Sequence, residues 1–110
     1  MNFPMRGEVY WVELDPTKGT EINKTRPAVV ISNNAQNKKS SCIIIAPITS
    51  SDQKVFDFQV KIDVPNLRGK ILLNQIRTID KSRISKQITM LDEDIIEQIN
   101  DALKIALDLL

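Results

Sequence analysis

Apolar and polar residues change places along this chain in short blocks, and the blocks predict strands rather than long helices. Gly7–Leu14 (GEVYWVEL) is rich in aromatic and β-branched residues, and Ala28–Ser32 (AVVIS) is a short apolar run of the kind a barrel buries. Cys42–Ile48 predicts a central strand, broken by Pro47 and ending at Thr49. Phe56–Ile62 alternates apolar and polar with period two, the pattern of a strand with one wet face. Lys70–Asp80 predicts a long strand whose polar residues point outward where it reaches a site, with Asp63–Gly69 as the turn before it. Asp80 is placed to cap a short helical turn over Lys81–Ile84, followed by a brief extended piece near Lys86–Thr89. The polar stretch Asn33–Ser40 predicts a loop or irregular turn.

The end of the chain has a different period. Ile95, Ile96, Ile99, Leu103, Ala106, Leu107 and Leu110 recur at helical spacing, and Asp92 is placed as an N-cap. Leu91 precedes the cap as a hydrophobic staple facing Ile96. Glu93, Asp94 and Glu97 lie in or near the first turn, where the helix dipole favours anions, so the acidic cluster needs no metal to explain it. The pattern predicts a C-terminal α-helix over about 92–109, part of whose apolar stripe is free to reach a second subunit. Several short strands and one terminal helix predict a small, mainly β barrel.

At 110 residues the chain is long enough for one core and too short for two, so a single domain over 1–110 is expected. No apolar run approaches the roughly 20 residues of a membrane span. No charged-then-apolar leader is visible, and a cytoplasmic location is expected. Histidine is absent, which excludes His-paired nucleophiles and His-based zinc sites, and the lone Cys42 reads as a small buried hydrophobe. No cofactor or metal is expected. The net charge of +1 hides an asymmetry: residues 92–110 carry six acids against Lys104 alone, a net of −5, while residues 1–91 hold fourteen bases against eight acids, a net of +6. A basic body suits a polyanionic ligand.

The segment Asp15–Pro27 (DPTKGTEINKTRP) joins the first two strands and is too long for a tight hairpin. Asp15-Pro16 opens a turn, Gly19 allows a positive φ, and Pro27 marks the next strand. Lys18, Glu21, Lys24 and Arg26, with the hydroxyls of Thr17, Thr20 and Thr25, equip the loop to handle an anion. Arg26 at the loop–strand junction, Thr49 at the end of the central strand, and Asn74, Gln75 and Arg77 after an apolar strand start form a distributed constellation.

In order along the chain, Arg6-Gly7-Glu8-Val9-Tyr10-Trp11, Leu14-Asp15-Pro16, Gly19-Thr20-Glu21, Thr25-Arg26-Pro27-Ala28-Val29-Val30-Ile31, Ala46-Pro47-Ile48-Thr49 and Leu73-Asn74-Gln75-Ile76-Arg77-Thr78-Ile79-Asp80 resemble the MazF/PemK family of toxin–antitoxin endoribonucleases. The resemblance implies an SH3-like β-barrel, a homodimer, and metal-independent cleavage of single-stranded mRNA. It further implies attack by the ribose 2′-OH on the adjacent phosphate, and a cognate, MazE-like antitoxin as partner. The family's catalytic Arg and Thr fall on Arg26 and Thr49, and Glu21 is a further candidate, as base. Thr20, Asn23, Lys24, Ser50, Ser51, Asn74, Gln75 and Arg77 are candidate RNA contacts. Some plasmid-borne members use a His and an Asp where this chain has Thr20 and Asn74, so that version of the chemistry does not transfer. Two alternatives stay open: a CcdB-type gyrase poison, which engages its target through a Trp near the C-terminus that this chain lacks, and a non-catalytic RNA-binding barrel. Aromatic stacking platforms are not expected, because Phe3, Tyr10, Trp11, Phe56 and Phe58 fall mostly where a core would take them.

Overall fold

The computed structural model describes residues 2–21, 24–51 and 53–110. Strands β1 (Glu8–Glu13), β2 (Thr25–Val30), β3 (Cys42–Thr49), β4 (Gln59–Val64), β5 (Leu67–Leu72), β6 (Arg77–Asp80) and β7 (Ile84–Met90) form one curled sheet in the order β4-β5-β3-β2-β1-β7, with β6 also paired to β3. Neighbouring strands run antiparallel. Helix α1 (Asn34–Lys39) follows β2, and α2 (Glu93–Ala106) closes the chain against β4 and the 3-10 turn Leu73–Gln75. The expected mainly β barrel with a terminal helix is what the chain forms. No helix among the described residues is long and apolar enough to cross a membrane.

Both faces of the sheet are apolar. One holds Val9, Val29, Ala46, Ile48, Val60, Ile62, Ile71 and Leu73, covered by Ile99 and Ala102 of α2. The other holds Val12, Leu14, Ala28, Val30, Ile43, Ile45 and Ile79. Burying such side chains contributes about 1.5–3 kcal/mol each.

Local signals placed the ends of α2. The Asp92 carboxylate accepts from the Ile95 N–H at 3.0 Å, the expected cap, and Leu91 and Ile96 share one apolar cluster. Asp92→Ala is expected to cost about 1 kcal/mol, read as a lower urea midpoint at unchanged slope. The helix stops earlier than the predicted 109. Asp108 turns left-handed at φ 56°, Leu109 N–H reaches Lys104 O at 2.7 Å, and Asp108 N–H reaches Ile105 O at 3.2 Å. This is a Schellman ending, with Asp where glycine is usual. The outer stripe, Leu107 and Leu110, stays exposed.

Four predicted boundaries are corrected. Asn33–Ser40 contains helix α1, because Asn33 caps Gln36 N–H at 2.8 Å and the buried Asn37 amide donates to Ser32 O at 2.9 Å. β2 starts at Thr25, ahead of Pro27; at Pro27 the strand is paired with β1 alone, where a missing N–H does least harm. Lys70–Asp80 is two strands separated by the 3-10 turn, and Gly69 lies inside β5 rather than in a turn. The strand predicted from Phe56 begins only at Gln59, so Phe56 and Phe58 lie outside it. Cys42 is half-buried, not buried. Asp80 caps its 3-10 turn as expected, accepting from Ser82 N–H at 2.9 Å; hydrogen bonds from the Ser82 side chain and backbone hold its carboxyl below the ordinary Asp range.

Candidate active site

The site begins with a gap in the sheet. Along one side β3 pairs with β6 through Cys42–Ile45 and with β5 at Ile48 and Thr49. Between those pairings lie Ala46 and Pro47, and Pro47 has no N–H to offer a neighbouring strand. The turn Leu73–Gln75 spans the gap instead, and a cleft of about 550 Å³ opens there. Pro47 and Asn74–Arg77 form one wall, and Leu14, Pro16, Thr20 and Glu21 form the other.

Paired residues of antiparallel strands point to the same face. Arg26 pairs with Val12, Ala28 with Pro47, and Ile45 with both Val30 and Arg77. Thr49 pairs with Lys70. The side chains of Arg26, Pro47, Thr49, Lys70 and Arg77 therefore share one face. Carried two residues past its last bonded pair, the β2–β3 register sets Arg26 level with Thr49. Arg26 and Thr49 are half-buried. The Thr49 hydroxyl accepts from Ser51 N–H at 3.4 Å, which leaves its own proton to donate to a ligand.

The long loop is tied down at its base. Leu14 N–H donates to Lys24 O at 2.9 Å, with Lys24 left-handed at φ 65°. Arg77 donates to Leu14 O at 2.8 Å, and Arg83 donates to Glu13 O and Asp15 O. Arg77 is thus half-buried and anchors the loop while lining the cleft; it is not a solvated strand residue. The Glu21 carboxylate accepts from Lys18 N–H, and Glu21 N–H returns to Lys18 O at 3.1 Å. Tyr10 lies on the same face as Arg26, paired with Ala28. Burial above all, then its hydrogen bond to Glu8 and that carboxylate's charge, push its phenol up to about 12. It stays protonated at neutral pH and is no candidate base.

The residues expected from the sequence are thus partly gathered. Thr20, Glu21, Asn74, Gln75 and Arg77 line the cleft, and Arg26 and Thr49 share the face of Pro47 on neighbouring strands without lining it. Ser50, Ser51 and Lys24 are exposed at the ends of their elements. Asn23 lies outside the described residues. Pro47 and Gly69 were not among the expected site residues: Pro47 opens the cleft, and Gly69 lets β5 reach Thr49. Among the described residues the aromatic side chains lie at the margin of the core rather than in it: Tyr10 packs against the second cluster, while Trp11 and Phe56 are 41% and 43% exposed. Among the described residues no three His, Cys, Asp or Glu side chains converge to hold a metal.

A curled antiparallel sheet with a terminal helix is the fold this chain shares with bacterial MazF toxins. The sequence profile described as "PemK-like, MazF-like toxin of type II toxin-antitoxin system" matches residues 5–107. Endoribonuclease EndoA of Bacillus subtilis (strain 168) is 40% identical over 110 residues, covering 96% of this chain and 95% of that protein. The crystal structure of MazF (Form-I) from Deinococcus radiodurans superposes with a TM-score of 0.88 at 25% identity, covering 99% of this chain and 100% of that one. The MazE–MazF structure (Form-III) from the same organism gives 0.80 at 26% identity, with 97% and 98% covered. The chain belongs to the PemK/MazF family of type II toxin–antitoxin toxins.

Proposed function

We infer that this toxin is an endoribonuclease that cuts single-stranded mRNA at selected sequences, without a metal, by attack of a ribose 2′-OH on its own 3′-phosphate. The observation that supports it best is that Arg26 and Thr49 lie on neighbouring strands, on the sheet face that carries Pro47 of the cleft. The new bond joins O2′ to phosphorus and the bond to O5′ breaks, leaving a 2′,3′-cyclic phosphate and a 5′-hydroxyl. Negative charge builds on the phosphorane, and a guanidinium fork with a hydroxyl donor is suited to stabilise it. Thr49 holds the scissile phosphate, and Arg26 stabilises the transition state and donates toward the departing O5′. Glu21 is the proposed base for the 2′-OH proton, because it is the acid that lines the cleft. Thr20, Asn74, Gln75 and Arg77 read the neighbouring nucleotides, with Asn23, Lys24, Ser50 and Ser51 at the edges.

The functional unit is a homodimer, each protomer a single catalytic domain, acting in the cytoplasm. Its regulator is a MazE-like antitoxin, MazF of Deinococcus radiodurans having been crystallised with MazE. An acidic, largely disordered segment of the antitoxin is expected to lie over the basic RNA surface of this chain.

The test is chelation. The chain has no His and one Cys, so cutting of single-stranded RNA is expected to proceed undiminished in excess EDTA and to leave cyclic-phosphate ends. Loss of cutting that Mg²⁺ restores would refute the metal-free route, and 3′-hydroxyl ends would refute 2′-OH attack.

A further inference from the structure

We propose that Phe56 and Phe58, with Lys54 beside them, form a base-stacking subsite that receives a nucleobase of the substrate RNA flanking the cleaved phosphate. The proposal rests on the endoribonuclease reading and adds a contact to it.

The two rings stack, with centroids 5.1 Å apart and planes 4° from parallel. Phe56 is 43% exposed, and Phe58 is half-buried. An exposed aromatic on a loop is costly to keep in place, yet this loop is held. Phe56 N–H donates to the Gln59 side chain at 3.2 Å, and Gln59 N–H donates to Phe56 O at 3.0 Å. The Lys70 ammonium donates to Lys54 O at 2.5 Å, and the Lys54 ammonium sits 4.8 Å from the Phe56 ring centre. The platform is therefore set before any ligand arrives, which lowers the ordering cost of binding.

Topology brings it to the reacting end of the sheet. β3 and β4 are both antiparallel to β5, hence parallel to each other, so the connection 50–58 must cross a face of β5. Lys70, which grips that connection, is the residue paired with Thr49, and paired residues share a face. The connection thus runs over the face that carries Arg26, and the aromatic pair adjoins Gln59, which is paired with Leu72 across β5 from the Pro47–Thr49 stretch of β3. An RNA strand with its scissile phosphate at Thr49 can lay a flanking base across Lys70 of β5 onto the rings.

The chemistry favours a nucleobase. A flat π face accepts any base, and stacking on a base is stronger than an exposed ammonium–ring contact. A base entering over Phe56 therefore displaces Lys54, whose ammonium is then free to meet the adjacent phosphate. Lys61 and Lys70, paired across β4 and β5, add positive charge on the same face.

The experiment uses the full-length protein and an RNA whose cut site has been mapped with it. An oligonucleotide of that sequence, 2′-deoxy at the scissile ribose, binds without being cut, and fluorescence anisotropy reads its affinity. Phe56→Ala and Phe56→Leu are expected to weaken binding about 5- to 150-fold, the usual effect of losing one stacked base, while Phe56→Trp retains it. An abasic nucleotide is then moved along the strand. At one position flanking the scissile phosphate it should weaken wild-type binding by a similar factor and cost Phe56→Ala nothing further. Phe56→Leu binding like wild type would overturn the proposal, reducing the rings to loop packing, and so would loss of affinity for antitoxin alone. A wild-type protein that neither binds nor cuts RNA would remove the endoribonuclease reading as well. Intact wild-type cutting with an unmoved Phe56→Ala would remove this inference only.

Discussion

Replacing Arg26 by alanine is expected to abolish RNA cleavage while leaving the sheet folded. The residue sits on β2 opposite Val12, at the end of the strand, with its neighbours Ala28 and Val30 deeper in the apolar cluster. Those neighbours hold the strand, and the half-buried Arg26 lies at the margin of that cluster. What the guanidinium supplies is charge and directed N–H groups where the phosphorane forms. Loss of one preorganised donor costs about 10²–10³ in rate, and a charged fork on a dianionic centre lies at or beyond the upper end. Arg26→Lys is expected to recover little, since a point charge cannot make the bidentate contact. Thr49→Ala should slow cutting by a smaller factor, because its hydroxyl donates one neutral hydrogen bond. Single-turnover rates on a defined oligonucleotide, with circular dichroism as the folding control, measure all three. Wild-type rates in Arg26→Ala would move the chemistry away from the β2–β3 strand ends.

Elements whose signals are local were legible in the chain. The α2 stripe, the Asp92 cap and the Asp80 turn each rest on neighbours within a few residues, and each is found where the spacing puts it. Helix α1 was hidden because Asn34–Lys39 has no apolar period; its support is the Asn33 cap and a buried amide bonded to Ser32. The β5–β6 break was hidden because Ile71-Leu72-Leu73 is uniformly apolar, and only the gap beside Pro47 requires a turn there. Phe56-Asp57-Phe58 alternates like a strand, but the need to cross β5 keeps it out of the sheet.

The site shows the same division. Arg26 and Thr49 were visible through the family's motif, and their register then follows from strand pairing. The cleft was not visible, since Leu14, Glu21, Pro47 and Arg77 meet only after the sheet curls. Arg77 illustrates the limit: its position in the site was anticipated, but its hydrogen bond to Leu14 O joins residues 63 apart in the chain.

Gly69→Ala is expected to be the most damaging single-methyl change in the protein, and to damage the site with the fold. Gly69 has φ 147°, a conformation that side chains rarely adopt, and the strain alone costs about 1–3 kcal/mol. The larger effect is steric. A Cβ there would lie 1.9 Å from Thr49 O, 2.9 Å from Thr49 C and 3.0 Å from Ser50 Cα. These are backbone atoms, so no rotamer relieves the overlap; β5 must move away from β3 where Ile48 pairs with Ile71 and Thr49 with Lys70. That opening strains the core around Ile48 and Ile71 and shifts the Thr49 hydroxyl away from the level of Arg26. The expected result is a fall in melting midpoint on the order of 10 °C or more. Cleavage per folded molecule should fall as well, measured at a temperature where the variant is still folded. Gly19→Ala is the matched comparison. Gly19 also has a positive φ, 59°, but nothing lies within 4 Å of its Cβ position, so it carries backbone strain without a clash. A Gly69→Ala protein that melts and cuts no worse than Gly19→Ala would show that β3 and β5 separate freely at Thr49, and that the strand pairing does not position the catalytic hydroxyl.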